Sequence, residues 1–304
     1  MPRRIAAPAL IVCALATATA AAQDKGTLNP QPLPPVAHPD DPKTPAKEFF
    51  GRETTPAKGA SHVYGFYSHG CIAGAQALPI NGPTWQVMRL SRNRNWGHPK
   101  LVKFLQRLSA NAAKQGWPGL LVGDMSQPRG GPMLTGHASH QIGLDADIWL
   151  TPMPDRTLTR AEREEMSATM VVAASRTDVD PKIWTPAHLA VIKAAAEDAA
   201  VERVFVNPAI KKALCRDAGT DREWLNKVRP WYGHDFHFHV RLFCPGDSPE
   251  CKPQDPAPPG DGCGHALDWW FTDAVIHWTE PATPRPGPTM AALPPACKAV
   301  LKAP

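Results

Sequence analysis

The chain has 304 residues, 43% of them hydrophobic, and a formal net charge of +5. That charge is too small to argue for a nucleic-acid partner, and no Lys/Arg-rich run concentrates it. No stretch after the N-terminal segment is long and apolar enough to span a bilayer.

The N-terminus, "MPRRIAAPALIVCALATATAAAQ", runs from Arg3 and Arg4 through an apolar stretch to Ala20, Ala21 and Ala22. This is the layout of a secretory signal over residues 1–22, so the mature chain is expected to begin near Gln23. Losing both arginines, with no acidic residue in the signal, lowers the charge to +3. Val12 stands before Cys13 where a lipid anchor needs a small residue. The expectation is an exported soluble protein with no stable membrane insertion once the signal is removed. Cys71, Cys215, Cys244, Cys251, Cys263 and Cys297 then remain, an even set that calls for three disulfides in an oxidising compartment. No C-x-x-C pair supports a cysteine-based zinc site.

Proline totals 35, more than twice the usual share of about 5%. It concentrates in 23–59, which contains "LNPQPLPPVAHPDDPKTP", and in the tail 246–304. Both should be extended and poor in regular structure. Cys71 lies just past the first, and Cys251, Cys263 and Cys297 lie in the second, so disulfides should tie the tail to the body. The body, 60–245, is long enough for one domain with a real core.

Along that body "WQVMRL" reads as a strand, and "HPKLVKFLQRLSANAAKQG" as a helix. The helix repeats Leu101, Val102, Leu105 and Leu108 and stops at Gly116. "GLLVGD" and "LDADIWL" read as strands. "TPAHLAVIKAAAEDAA" reads as a helix capped by Thr185 with Pro186 in its first turn. "RVFVN" follows as a strand, then a shorter helix in "TDREWLNKV", where Thr220 and Glu223 have capping-box spacing. "HFHVRLF" is the last strand. Helices and strands mix without a regular βαβ beat, which argues α+β: a single domain whose central, mainly antiparallel sheet is flanked by helices.

Alternation along the strands separates core from chemistry. In "LDADIWL", Leu144, Ala146, Ile148 and Leu150 share one face, and Asp145, Asp147 and Trp149 the other. In "HFHVRLF", Phe238, Val240 and Leu242 face the core while His237, His239 and Arg241 line the opposite side. If the two strands are neighbours, Asp147 and His239 converge, and His140 folds back from the preceding loop past Gly143. Two imidazoles and one carboxylate suit zinc with a fourth position left to water, as metal-assisted hydrolysis requires. His237 is placed to act as a base or to stabilise a tetrahedral intermediate. Taken singly, a histidine is usually structural and an aspartate at a strand end is usually solvated or a cap. The competing reading of the whole set is a histidine cluster stabilised by acids.

"SHQIGLDADIWL" and "VRPWYGHDFHFHVRLFCP" resemble the penicillin-insensitive murein endopeptidase family, a branch of the metallopeptidases that also holds lysostaphin-type enzymes and D-alanyl-D-alanine dipeptidases. The likeness extends through "SRNRNWGHP", "RVFVNPAIKKALC" and "AGTDREWLNKVRPW" and covers nearly all of the body. It implies a Zn2+ enzyme of the bacterial periplasm that cuts the D-alanyl-meso-diaminopimelyl cross-link of peptidoglycan. By position it implies His140, Asp147 and His239 as zinc ligands, His237 as the catalytic histidine, and disulfides Cys71–Cys297, Cys215–Cys263 and Cys244–Cys251. It also accounts for penicillin insensitivity, because β-lactams acylate a serine nucleophile that a metal-activated water replaces.

One departure stands out. Members resembling this chain can carry a second metal on a histidine equivalent to His137 and on an aspartate and a histidine from a later loop. Here that loop, "SRTDVDPKIW", has Asp178 and Asp180 but no histidine. His137, Asp178 and His234 are therefore candidates for a second metal or for hydrogen-bonding around the first. Two alternatives remain: a carboxypeptidase that trims a terminal D-alanine, and a non-catalytic wall-binding module whose structural metal is closed off by His137, His234 or His237. Trp149, Trp231 and Tyr232 suit either a substrate groove or the core, more often the core. The sequence leaves open a homodimer, and which basic residue meets the substrate's carboxylates.

Overall fold

A computed structural model of the chain describes residues 25–278 and 286–304, so the signal expected over 1–22 lies outside the described residues. The strands of the central sheet are β1 (Asn81–Gly82), β2 (Trp85–Val87), β3 (Leu120–Val122), β4 (Asp145–Trp149), β5 (Val201–Val206), β6 (Val228–Pro230) and β7 (His237–Leu242). They lie in the order β6-β5-β7-β4-β3-β2-β1. Every strand read from the sequence is present, and the short β1 and β6 add the two edges.

The helices form where periodicity and caps agree. In α1 (Pro99–Lys114), Leu101, Val102, Phe104, Leu105 and Leu108 are buried, and the His98 ring accepts the Lys100 N–H at 3.2 Å. Gly116, at φ +86°, then turns the chain away in a conformation that disfavours other residues. Helix α2 (Pro186–Glu197) starts at Thr185, whose N–H donates to His188 Nδ1. The capping box expected from Thr220 does not form. That segment is a 3-10 turn, Glu223–Lys227, entered from Arg222 without a side-chain cap.

The sheet is mixed: four of its six pairings are antiparallel and two are parallel. β2 pairs with β3, and β5 with β6, in parallel. Parallel neighbours need a crossover, and α1 supplies the first. The second is α3 (Pro208–Asp217), which the periodicity analysis did not pick out; its cap is Asn207, whose Oδ1 accepts the Ala209 N–H at 2.9 Å.

The central pair obeys the alternation. β4 and β7 are antiparallel, with His237 opposite Trp149, His239 opposite Asp147 and Arg241 opposite Asp145. Ala146, Ile148, Phe238 and Val240 are fully buried on the core face. The polar face is covered too: Asp145 is 0% exposed, and Met88, Leu121, Leu158 and Ala168 pack around Trp149. The acids and imidazoles of that face are therefore held out of bulk water.

Three disulfides, Cys71–Cys297, Cys215–Cys263 and Cys244–Cys251, join the tail to the body. The tail has more regular structure than its proline content suggests, including a 3-10 stretch, Gly264–Phe271, and a terminal helix, Ala296–Lys302. Arg129 anchors both ends of the chain, donating to the carbonyls of Val300, Leu301 and Ala303 and to that of Thr55, and pairing with Glu53 at 3.0 Å. Phe50, Leu293 and Val300 pack beside the Cys71–Cys297 bond. Among the described residues, no helix is long and apolar enough to cross a membrane.

The Cys71–Cys297 bond spans 226 residues of sequence, and cross-links closing long loops restrict the unfolded chain most. A Cys71→Ala, Cys297→Ala protein is expected to lose about 2–4 kcal/mol of stability, measured by denaturant titration under non-reducing conditions.

Candidate metal centre

The site grows from the loop that enters β4. Gly136, His140 and Gly143 all have positive φ, which folds the loop back over the strand. His140, at φ +65°, occupies a left-handed conformation that costs a non-glycine residue on the order of 1 kcal/mol. Asp145 holds it there, its Oδ2 accepting the His140 backbone N–H at 3.0 Å.

The side chains then meet at Asp147. His140 Nε2 and His239 Nδ1 each lie 3.4 Å from Asp147 Oδ1, and His237 Nε2 lies 3.7 Å from it. The other oxygen, Oδ2, faces His137 Nδ1 at 3.5 Å. One donor atom each of His137, His140 and Asp147 fall within 4.8 Å of one another. Asp147 Oδ1 and both ring nitrogens of His140 are buried and make no hydrogen bond among the described residues. Orphaned polar atoms in a covered site carry a desolvation penalty that a cation would relieve. The spacing fits as well: ligands about 2.0–2.1 Å from a tetrahedral zinc are roughly 3.3 Å apart.

A carboxylate stands behind two of the imidazoles. His239 turns Nε2 toward Asp145 Oδ1 at 3.3 Å, and His137 turns Nε2 toward Asp124 Oδ2 at 3.1 Å. Asp145 is bridged by Arg241 Nε and Nη2 at 2.9 and 3.2 Å, and Asp124 by Arg92 and Arg94 at 2.9 and 2.8 Å. Both rings thus turn Nε2 to a carboxylate and Nδ1 to Asp147, although the His239 Nε2 approach to Asp145 does not make a hydrogen bond.

Burial dominates the electrostatics. It pushes His239 down to about 4 and His237 down to about 3, so both rings are neutral at neutral pH with a lone pair to offer. Burial alone would raise the Asp147 carboxyl. The surrounding imidazoles, His237 first and then His140 and His137, outweigh it and hold the group well below the usual carboxylate range. Burial would lower His137 too, but Asp147 and Asp124 outweigh it and raise that ring. An ionised aspartate beside the neutral ring of His239 is a donor pair suited to zinc. Asp147, His137, His237, Trp149 and Asp124 line a cavity of about 170 Å3 beside it.

His140, His239, His237 and His137 thus all approach Asp147, but the three residues whose donor atoms lie within 4.8 Å of one another are His137, His140 and Asp147, without His239. His234 sits at the rim, its ring 4.7 Å from that of His237 and its Nδ1–H donating to the Tyr232 carbonyl at 2.7 Å. Asp178 does not join them. Its carboxylate pairs with Arg216 at 2.9 Å and Lys212 at 3.7 Å, so the strongest neighbouring cations keep it elsewhere. Asp180 accepts the Lys182 N–H within its own turn. Sequence reading missed Asp124 and its arginines. An acid ending the apolar strand "GLLVGD" was the available signal, and β3 brings it in: the Asp147 N–H donates to the Asp124 carbonyl at 2.9 Å.

Residues 63–302 match the family model described as penicillin-insensitive murein endopeptidase. A protein of that name from Klebsiella pneumoniae subsp. pneumoniae is 48% identical over 248 residues, covering 82% of this chain and 89% of its own length. One from Haemophilus influenzae is 51% identical over 213 residues, covering 70% and 74%. An Escherichia coli protein of the same name is 48% identical over 82% of this chain and 89% of its own. The chain belongs to the penicillin-insensitive murein endopeptidase family.

Proposed function

We propose that this chain is a periplasmic zinc peptidase that hydrolyses the D-alanyl-meso-diaminopimelyl cross-link of peptidoglycan. His140, Asp147 and His239 are the metal ligands and His237 is the catalytic histidine. The observation that carries this reading is the approach of His140 Nε2 and His239 Nδ1 to one buried oxygen of Asp147, each at 3.4 Å, an oxygen that makes no hydrogen bond among the described residues. The names of the relatives, murein endopeptidases at 48–51% identity, support the substrate.

A zinc ion held there supplies a Lewis acid for the scissile carbonyl and lowers the pKa of a water to about 7. The chain does the rest. Asp145 stands 3.3 Å from His239 Nε2 and orients that ring so that Nδ1 faces Asp147. Arg241 and the His140 backbone N–H keep Asp145 in place. His237, neutral because burial holds it at about 3, offers an N–H to the developing oxyanion and is a weak base; that assigns it to stabilising the tetrahedral intermediate. Attack by water rather than by a serine leaves β-lactams nothing to acylate.

The grouping of His137 with His140 and Asp147 favours a second ligand set, in which His137 replaces His239. Its Nδ1 faces Oδ2 of Asp147, away from the oxygen on which the other rings converge. Metal content separates the two. His140→Ala and His239→Ala proteins are expected to lose zinc and activity together, while His137→Ala retains zinc; the reverse pattern for His137 and His239 would transfer the ligand role. His237→Ala is expected to keep fold and zinc and lose about 10²–10³ in kcat, whereas loss of metal would mark the closed, structural site of a wall-binding module. Digestion of purified sacculi should convert cross-linked dimers to monomers. Release of free D-alanine with the dimers intact would instead identify a carboxypeptidase.

A further inference from the structure

The register of the sheet extends one face sideways from the metal centre. Asp147 is opposite His239, His239 is opposite Phe205 on β5, and Phe205 is opposite Arg229 on β6. Side chains directly opposite one another share a face, so Arg229 stands on the face of His239, two strand spacings or about 10 Å away. The Phe205 ring meets the edges of His239 at 5.3 Å and of Trp231 at 6.1 Å. Beyond it lies a groove of about 310 Å3, lined by Arg203, Phe205, Arg229, Trp231, Gln254 and Trp270.

The two arginines of that groove differ. Arg203 donates to the carbonyls of Glu202 and Asp255 at 2.8 and 2.7 Å. The Arg229 side chain makes no hydrogen bond or ion pair among the described residues. Gly262 leaves room for its guanidinium, because a Cβ there would stand 2.9 Å from Nη1. Glu202 partly offsets the charge of Arg203, whereas Arg229 faces burial and the repulsion of Arg203 with no ion pair among the described residues. A partly buried cation is costly without an anion. Trp231, 52% exposed, forms an apolar wall beside both arginines.

We infer that Arg229 and Arg203, walled by Phe205, Trp231 and Trp270, form a subsite that binds a free carboxylate of the substrate's peptide stem, about 10 Å along the sheet from His239. This assignment rests on the endopeptidase reading. The carboxylate next to the cross-linking amine is too close to the scissile bond to reach the groove. The α-carboxylate of the γ-linked D-glutamate lies roughly three residue lengths, on the order of 10 Å, before the scissile carbonyl in an extended stem. A planar guanidinium recognises such a carboxylate through paired N–H donors, and the aromatic wall takes the apolar part of the stem.

The test uses the soluble stem peptide L-Ala-γ-D-Glu-meso-diaminopimelyl-D-Ala and its analogue amidated at the glutamate α-carboxyl, titrated calorimetrically into the zinc-loaded protein. The wild type should bind the acid about tenfold more tightly than the amide, and Arg229→Gln should abolish that preference. On a cross-linked dimer, the same substitution should raise KM by a similar factor and leave kcat unchanged. Equal affinity of the wild type for acid and amide overturns the subsite, and this comparison needs no variant to fold. So does a preference that survives in Arg229→Gln. If the wild type discriminates between the peptides but cleaves no dimer, the subsite stands and the endopeptidase reading fails. If it cleaves dimers without discriminating, the reverse holds.

Discussion

The arrangement depends on the antiparallel register of two strands. With β7 against β4 and His239 opposite Asp147, every other donor falls into place: Arg241 lies opposite Asp145, and His237 opposite Trp149. A shift of one residue would turn His239 into the core and bring Phe238 or Val240 to the metal face, because side chains alternate. The core face resists such a shift, since Ala146, Ile148, Phe238 and Val240 are all fully buried. Packing on one side of the sheet therefore sets the chemistry on the other.

Burying that second side has a cost, and the polar network answers it. Asp145 and Asp147 are both nearly inaccessible, and an isolated carboxylate there would protonate or unfold the site. Asp145 is neutralised by the Arg241 fork and also fixes the left-handed His140 and the orientation of His239. One buried ion pair thus orients two of the proposed ligands. Among the described residues Asp147 pairs with no arginine and its carboxylate approaches only imidazoles, which leaves its Oδ1 without a hydrogen bond there. The difference between these neighbouring acids, one satisfied by protein and one not, sets the supporting acid apart from the proposed ligand.

Much of this is visible in the sequence, for identifiable reasons. Period-two alternation in "LDADIWL" and "HFHVRLF" puts the right residues on the right faces, and helical periodicity locates α1 and α2. Contacts between residues distant in the chain are what it hides. Asp124, Arg92 and Arg94 join through β3 and its preceding loop, and nothing local marks them as partners of His137. The parallel pairings were missed because α3 is short and carries Lys211 and Lys212 among its apolar residues, which blurs its period. Asp178, a candidate on family resemblance alone, pairs with Arg216 and Lys212 instead of joining the cluster around Asp147. The Arg229 groove depends on a register running across four strands, which no single segment reveals.

The central claim is that one zinc ion sits at Asp147 Oδ1 with an open coordination position. X-ray absorption at the zinc edge, on wild-type protein loaded with one equivalent of metal, tests it most directly. The account predicts a four-coordinate site with two imidazole nitrogens, one carboxylate oxygen and one exchangeable oxygen that is replaced when a thiol or hydroxamate inhibitor is added. A spectrum with a complete set of protein ligands that no small molecule displaces, or protein that retains no zinc after gel filtration, would contradict it.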